Sequence, residues 1–317
     1  MNTLKIVLAT GSMSEGGWRD ALAGAFAAAG LACDVGVWDG RSNGARYAVV
    51  WLPPAELFAA EPGLRVVFNL GAGVDALLAR GMVPAQLPIV RLVDAGMAPK
   101  IAEYVCFALA RITRGLERFG PPPAGLRDWN ASRPRGDAPV VGVLGLGAIG
   151  AAIVEAAARF RYPVLGWSRR PRTIAGIETF AGAAQRDAFL ARTEVLVNAL
   201  PLTAHTENLL DRRAFERLPR GAHLVNVGRG ATIVDADLLA ALDAGQLASA
   251  TLDVFRTEPL PLEHAFWSHP KVTVTPHLSG PTPYGPAAEQ IAAALAQLEH
   301  GVAPRDLPGY VDRAAGY

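Results

Sequence analysis

One segment near the middle of the chain constrains its fold more than any other. The apolar run 140–144 leads directly into a Gly-x-Gly-x-x-Gly turn at 145–150, and an alanine-rich stretch to about Phe160 follows. In such a strand–turn–helix unit the first glycine permits a tight turn, the second lets the backbone approach a pyrophosphate, and the third lets helix and strand pack closely. The first N–H groups of the helix attract phosphate charge. The segment therefore predicts a dinucleotide-binding unit, although three glycines also occur in ordinary βα turns.

The rest of the chain alternates β-rich runs with alanine-rich helical stretches, which is the pattern of parallel α/β sheets. Besides 140–144, the predicted strands are 5–9, 33–38, 47–52, 65–69, 89–91, 164–167, 194–199, 223–227, 249–253 and 271–275. The clearest predicted helices are about 17–29, 99–116 and 286–300. The proline-rich segment 120–125 cannot continue the second of these helices, and a new α/β series starts at Val140. We therefore predict an α/β protein of two Rossmann-like or flavodoxin-like domains with parallel sheets.

Composition excludes several functional classes. The 317 residues carry 30 basic and 29 acidic side chains, and a net charge of +1 gives no electrostatic footprint for nucleic acid. No uninterrupted apolar run reaches the roughly 18 residues of a membrane span, and no signal peptide is recognisable, so we expect no membrane association. Cys33 and Cys106 cannot form a disulfide framework, and no CxxC or HExxH motif suggests a metal. A cytoplasmic, metal-free protein is the expectation.

The strand after the glycine turn discriminates between the two nicotinamide cofactors. An acidic residue normally closes this strand and accepts hydrogen bonds from the ribose 2′-hydroxyl of NAD. Here the strand closes with Ser168, Arg169 and Arg170, and no acid follows until Glu178. Arginine forms bidentate bonds to a 2′-phosphate, which a carboxylate would repel. We therefore predict NADPH as the preferred cofactor and NADH as a weaker alternative, with Arg169 as the leading phosphate ligand; a solvated basic turn is the other interpretation.

Three further strand ends carry side chains that a buried α/β core would not favour. Arg229 lies between two glycines, Glu258 lies in a proline-flanked loop, and His277 follows an apolar strand. The carboxyl ends of parallel strands form one ligand crevice, so these segments can converge. Arg229 can bind the carboxylate of a 2-keto acid, His277 can donate a proton to its carbonyl oxygen, and Glu258 can orient His277 and stabilise the imidazolium. Asp253 is placed to bind the nicotinamide carboxamide.

Segments 145–150, 226–230, 252–261 and 275–279, in this order, resemble the D-2-hydroxyacid dehydrogenase family, and within it the glyoxylate/hydroxypyruvate reductase A branch. The stretches 50–54, 70–75, 91–97, 167–169 and 311–317 match as well. The resemblance implies an enzyme that reduces glyoxylate to glycolate and hydroxypyruvate to D-glycerate, with Arg229, Glu258 and His277 as the catalytic set. A reductase of a bulkier 2-keto acid such as phenylpyruvate, and a dinucleotide-sensing corepressor, are the alternatives.

The resemblance also implies a discontinuous substrate domain, 1–98 with 282–317, and a nucleotide domain, 99–281, inserted in it. Backbone N–H groups of Gly71, Ala72 and Gly73 would bind the substrate carboxylate, and Trp51 would limit the pocket to small substrates or simply pack in the core. A homodimer would form through the helix from Pro99 and the segment 127–129. The full set of predicted cofactor-binding residues is Gly145, Leu146, Gly147, Ala148, Ile149, Gly150, Ser168, Arg169, Arg170, Leu200, Pro201, Val227, Gly228 and Asp253.

Overall fold

A computed structural model describes residues 3–11, 14–79, 81–116 and 137–317. The proline-rich segment 120–125 and the predicted dimer segment 127–129 lie outside the described residues. The chain divides into two compact units, one of Met1–Met97 with Thr282–Tyr317 and the other of Ala98–Pro281. Each unit contains one parallel sheet, so the predicted α/β fold class is confirmed.

The first unit contains, in its described residues, a five-stranded parallel sheet. Its strands are β1 (Leu4–Ala9), β2 (Cys33–Val37), β3 (Tyr47–Val50), β4 (Val66–Asn69) and β5 (Ile89–Arg91). They lie in the order β2-β1-β3-β4-β5, which is the flavodoxin-like order. The residues of β3 and β4 are all buried, as expected for central strands that are covered on both faces.

Four helices of the first unit are α1 (Glu15–Ala28), α2 (Glu56–Ala60), α3 (Asp75–Ala79) and the C-terminal α9 (Tyr284–Glu299). Helix α9 packs against α1, where the rings of Trp18 and Tyr284 meet edge to face with 4.7 Å between their centroids. Trp18 is fully buried. This contact of the buried Trp18 with the partly exposed Tyr284 ring helps to hold the C-terminal helix on the unit that the beginning of the chain forms.

The second unit contains a seven-stranded parallel sheet within the part of the chain that is described. Its strands are β6 (Val141–Leu144), β7 (Val164–Ser168), β8 (Glu178–Ala181), β9 (Val195–Asn198), β10 (Ala222–Asn226), β11 (Leu247–Leu252) and β12 (Val272–Val274). They lie in the order β12-β11-β10-β9-β6-β7-β8, the dinucleotide-binding order with one added edge strand. The sequential order reverses between β6 and β9, and ligands of such sheets bind outside the carboxyl ends of the strands at this point.

In its described residues the second unit has the α-helices α4 (Met97–Arg114), α5 (Ala148–Arg159), α6 (Gly182–Leu190), α7 (Arg212–Arg217) and α8 (Asp235–Asp243). Strand β8 was not among the predicted strands. It is a partly exposed edge strand of four residues beside β7, and it lacks the continuous apolar run by which buried strands are recognised. Among the described residues, no helix combines the length and hydropathy that a bilayer-spanning segment requires.

Candidate active site

The glycine turn joins β6 to α5 at the switch point of the second sheet. Gly145 has a φ of +97°, in the left-handed region that side chains disfavour. A Cβ on Gly150 would lie 1.7 Å from the Gly145 carbonyl oxygen, so only glycine lets the helix start this close to the strand. Gly147 is the N-terminal cap of α5 and faces open space, since a Cβ there would have no atom within 4 Å. The turn is thus closely packed where Gly150 meets Gly145, and it is open at Gly147.

The start of α5 fits a bound pyrophosphate. No side chain caps the helix at Gly147, and no acidic residue lies in its first turn. The N–H groups of the first helical turn therefore keep their positive end available to an anion. The four remaining turn residues differ in exposure, since Leu146 and Gly150 are buried, Ile149 is half-buried and Ala148 is exposed.

The basic turn after β7 presents charge to solvent beside this site. Ser168 is buried and its hydroxyl donates to the Arg170 carbonyl at 2.7 Å, while the side chains of Arg169 and Arg170 are exposed. Arg172, which the sequence interpretation did not single out, donates from Nη1 to the Leu146 carbonyl of the glycine turn at 2.9 Å. The basic turn and the glycine turn are therefore directly bonded, and both fit an NADP-type cofactor with a 2′-phosphate.

Arg229 lies in the loop that follows β10, and a buried polar network fixes its backbone. The Arg229 carbonyl accepts hydrogen bonds from the Thr232 hydroxyl at 2.6 Å and the Asn226 amide at 3.2 Å. The Asn198 amide in turn donates to Asn226 Oδ1 and to Thr232 Oγ1, both at 2.8 Å. Asn198, Asn226 and Thr232 are fully buried, so these bonds form away from competing water.

The glycines on either side of Arg229 allow close packing of three strand-end loops. A Cβ on Gly228 would lie 2.7 Å from the Leu200 carbonyl oxygen. A Cβ on Gly230 would lie 1.9 Å from the Phe255 carbonyl carbon. The loop that carries Arg229 therefore touches the loop after β9 on one side and the loop that leads to Glu258 on the other.

Glu258 and His277 form a hydrogen-bonded pair. His277 Nδ1 lies 2.8 Å from Glu258 Oε2, and the other carboxylate oxygen accepts the Phe255 N–H at 2.9 Å. Burial alone would raise the pKa of the Glu258 carboxyl, but the His277 and Phe255 hydrogen bonds and the charge of nearby Arg229 outweigh it and lower that pKa. The structure thus brings together Arg229, Glu258 and His277, as the sequence predicts.

The backbone of His277 is held in an unusual conformation. Its φ is +49°, and its N–H donates to the Asp253 carbonyl at 2.9 Å. Asp253 is fully buried, and its carboxylate accepts the N–H groups of Leu278 and Ser279, each at 2.9 Å. A strained residue persists where its surroundings over-determine it, and Asp253 supplies that support. A bond from Asp253 to a nicotinamide carboxamide stays a prediction. The support that Asp253 gives to the His277 loop was not predicted from the sequence.

Thr275 and Tyr104 extend this support. The Thr275 hydroxyl donates to Asp253 Oδ1 at 2.6 Å, and the Tyr104 hydroxyl lies 2.7 Å from Thr275 Oγ1. Because the single Thr275 proton is used on Asp253, Tyr104 must be the donor to Thr275. Burial, and to a smaller extent the charge of Asp253, raises the pKa of Tyr104, so the phenol keeps its proton. Helix α4 is thereby bonded to the His277 loop.

In the first unit, the glycine loop after β4 is folded around a buried amide. Asn69 Nδ2 donates to the carbonyls of Gly71 at 3.0 Å and Gly73 at 2.9 Å. A trans peptide directs its N–H opposite its carbonyl, so the N–H groups of Ala72 and Val74 point away from Asn69. The Trp51 ring packs on Gly71, where a Cβ would lie 2.4 Å from the indole. Trp51 is half-buried rather than a fully buried core residue.

Some residues that support the Arg229 loop could not be recognised from the sequence unless the strand order was known. Asn198 and Asn226 each end an apolar strand and lie opposite each other in the pairing of β9 with β10. Paired amides at strand ends would have indicated a shared network had that pairing been known. Of the remaining predicted cofactor-binding residues, Leu200 and Val227 are buried and Pro201 is exposed. Within the described residues, no group of three or more His, Cys, Asp and Glu side chains could hold a metal ion.

Comparisons with known proteins show what the whole chain is similar to. The family model of the D-isomer specific 2-hydroxyacid dehydrogenase, NAD binding domain, matches residues 127–279. The glyoxylate/hydroxypyruvate reductase A of Serratia proteamaculans is 44% identical over 88% of this chain and 90% of its own length. A D-isomer specific 2-hydroxyacid dehydrogenase from Xanthobacter autotrophicus, solved with NADPH and MES, has a TM-score of 0.89 and 37% identity over 100% of both chains.

A second solved structure is similar to the same degree. The NADPH-dependent glyoxylate/hydroxypyruvate reductase of Sinorhizobium meliloti, in complex with NADP and sulfate, has a TM-score of 0.89 and 34% identity. The similarity covers 99% of this chain and 100% of that one. The likeness therefore extends over both units of the chain and includes relatives that hold the phosphorylated cofactor.

Proposed function

The chain belongs to the D-isomer specific 2-hydroxyacid dehydrogenase family, and from this premise we propose that it reduces glyoxylate to glycolate and hydroxypyruvate to D-glycerate with NADPH. The family resemblance predicted from the sequence is thereby confirmed. The observation that carries the proposal is the convergence of Arg229, Glu258 and His277 at the carboxyl edge of the second sheet. This edge also carries the open glycine turn and a turn of arginines where NAD-binding domains have an acid.

The protein supplies charge and a proton to the keto acid. NADPH, when bound, supplies the hydride that reduces the keto carbon to an alcohol. The Arg229 guanidinium binds the substrate carboxylate and polarises the adjacent carbonyl. His277 donates the proton that the carbonyl oxygen takes up, from the ring nitrogen opposite the one that contacts Glu258. Glu258 holds the imidazole in place and stabilises its protonated form.

The residues proposed to hold the cofactor lie at the carboxyl ends of five strands, β6, β7, β9, β10 and β11. The turn 145–150 and the N-terminus of α5 bind the pyrophosphate, and Arg169 binds the 2′-phosphate with support from Ser168 and Arg170. Leu200, Pro201, Val227, Gly228 and Asp253 complete the set. Their support is their position at the ends of β9, β10 and β11, next to the switch point. NADH is the weaker cofactor because it lacks the phosphate that the arginines bind.

The loop after β4 and Trp51 are proposed to add to carboxylate binding and to limit substrate size. Backbone N–H groups of the loop Gly71, Ala72, Gly73 are proposed to bind the substrate carboxylate. Support comes from Asn69, which binds the Gly71 carbonyl and so leaves the Ala72 N–H pointing away from the Asn69 amide. The indole of Trp51 packs on this loop and limits the pocket to small keto acids.

The protein is also proposed to act in the cytoplasm as a homodimer. Helix α4 supports the homodimer, because the Phe107 side chain on it is 61% exposed and lies beside exposed charged residues. Sedimentation of the purified chain measures this state directly. A mass of about twice 33.3 kDa is expected, and a sedimenting species of 33.3 kDa contradicts the dimer.

A panel of 2-keto acids, assayed with NADPH and with NADH, tests the reaction. Glyoxylate and hydroxypyruvate should give the highest kcat/KM, and NADPH should exceed NADH with each substrate. A higher kcat/KM for phenylpyruvate would replace the substrate assignment with that of a bulkier keto acid. Tight binding of NADPH without turnover of any keto acid would contradict an enzyme and favour a cofactor-sensing role.

A further inference from the structure

Arg256 lies two residues before Glu258 and reaches out of its own loop. Its Nη2 donates to the Ile233 carbonyl at 2.7 Å, to Asn208 Oδ1 at 2.5 Å and to the Ala231 carbonyl at 3.3 Å. Its Nη1 lies 3.6 Å from the Glu207 carboxylate. One guanidinium therefore joins three segments that are far apart in the sequence.

Two of these segments carry proposed catalytic groups. Ala231 lies in the 3₁₀ turn Gly230–Thr232, which begins directly after Arg229, and Ile233 caps that turn. Arg256 itself lies between Phe255, whose N–H binds the Glu258 carboxylate, and Glu258. Its guanidinium thus bonds the Arg229 loop to the Glu258 loop through backbone carbonyls, the part of each loop that sets where its side chain starts.

These bonds add to the close packing at Gly230. Gly230 lets the two loops touch, because no side chain separates it from the Phe255 backbone. Contact alone does not prevent the loops from sliding, whereas hydrogen bonds from a planar guanidinium fix direction as well as distance. Such fixing hydrogen bonds matter here because the side chains of Glu258 and His277 are 36% and 45% exposed. Packing in a hydrophobic core therefore does not hold these two side chains in place.

The contact with Glu207 does not by itself explain the position of the Arg256 side chain. The Glu207 and Arg256 side chains are 54% and 37% exposed, and exposed ion pairs contribute little to stability. The bonds to Ile233 and Asn208 are shorter than the Glu207 contact. Asn208 has a φ of +54°, so the segment that meets the guanidinium adopts a backbone that most residues disfavour.

We propose that Arg256 is a positioning residue for 2-keto acid reduction, which holds the loops of Arg229 and Glu258 in the spacing that the reaction requires. The inference rests on the proposed function, because it assigns Arg256 a part in that reaction. Arg256 acts through its neighbours and has no assigned contact with substrate. Its loss is expected to lower kcat more than it changes substrate or cofactor binding, since displacement of catalytic groups costs rate.

The test compares Arg256→Ala, Arg256→Lys and the control Arg217→Ala with the wild type. Arg217 is an exposed arginine on α7 that pairs with Asp187 at 3.1 Å, so its removal also deletes a surface ion pair. The measurements are kcat and KM for glyoxylate with NADPH, the Kd of NADPH by fluorescence, and Tm. For Arg256→Ala we expect a fall in kcat of about 30-fold, with KM and Kd within about threefold of wild type.

The lysine variant and chemical rescue separate positioning from folding. Lysine keeps the charge but presents a single ammonium, so Arg256→Lys should recover only part of kcat. Millimolar guanidinium, well below denaturing concentrations, should raise kcat of Arg256→Ala and leave the wild type unchanged. The Arg217→Ala control should keep wild-type kcat.

Four outcomes overturn the proposal. Wild-type kcat in Arg256→Ala would show that the loops do not need the guanidinium. Full activity in Arg256→Lys would show that charge near Glu207 is sufficient. A fall in kcat that guanidinium does not reverse and that follows a fall in Tm would assign Arg256 a structural part only. A wild type that reduces no keto acid would overturn the proposed function and the positioning role with it.

Discussion

Two turns of the second sheet present arginines at strand ends, and they differ in how they are held. The Arg229 loop rests on Asn198, Asn226 and Thr232, all fully buried and mutually hydrogen-bonded. The turn after β7 exposes Arg169 and Arg170 to solvent. Buried hydrogen bonds fix a group in place but make its replacement costly, whereas exposed side chains can change at little cost in stability. The groups proposed for the reaction and those proposed for cofactor preference thus lie on parts of the sheet that should differ in their tolerance to substitution.

The largest expected effect is at the reaction centre. His277→Asn removes the imidazole that we propose as the proton donor, and asparagine tolerates the positive φ at this position. We expect kcat to fall by about a thousandfold, while the Kd of NADPH changes little. Steady-state and binding measurements check this, with His300→Asn, an exposed histidine at the end of α9, as the control. A variant with more than a tenth of wild-type kcat would remove His277 from the mechanism.

The next effect concerns the support of that centre. Asp253→Ala removes the buried carboxylate that accepts the N–H groups of Leu278 and Ser279 and the Thr275 hydroxyl. The free energy of unfolding should fall by about 3 kcal/mol, because each unsatisfied group keeps its desolvation cost. Urea unfolding measures the change. Unfolding at the wild-type urea midpoint would contradict the view that the reaction edge is rigidly held.

The exposed turn should behave in the opposite way. Arg169→Asp replaces the proposed phosphate ligand with a repelling carboxylate, so kcat/KM with NADPH should fall by about 30-fold while that with NADH does not fall. Tm should stay within about 2 °C of wild type, because the side chain is exposed. Arg213→Asp, at an exposed position on α7, makes the same charge change away from the site. Equal losses with both cofactors would refute Arg169 as the phosphate ligand.

The smallest effect is a pH dependence at Glu258. The folded protein lowers the pKa of this carboxyl below its ordinary value of 4.5. A depressed pKa stabilises the folded state above the unfolded pKa, and this contribution is lost as the pH falls below about 4.5. Glu258→Gln cannot titrate, so its unfolding free energy should decline less steeply on acidification than that of the wild type. Parallel pH curves for the two proteins would show that Glu258 is not stabilised in its charged form.

Much of the site could be predicted because its residues follow a rule about strand ends. Gly145, Arg229 and His277 each lie just after an apolar run, and parallel strands bring such positions to one edge. Asp253 lies at such an end as well, but its partners Leu278 and Ser279 bond through backbone N–H groups, which every residue except proline possesses. No residue type marks them in a sequence. The same holds for the carbonyls of Ala231 and Ile233 that accept from Arg256.

The sequence by itself determined the α/β class, the glycine turn, the absence of an acid after β7 and the residue types that meet at the reaction edge. These follow from local patterns, since periodicity, turn chemistry and charge are properties of neighbouring residues. Only the tertiary structure decided that β9 and β10 place Asn198 opposite Asn226, that Asp253 supports the His277 loop, and that Arg256 bonds the Glu258 loop to the Arg229 loop. Those contacts depend on strand order and on backbone atoms, and neither is recorded in the identity of a residue.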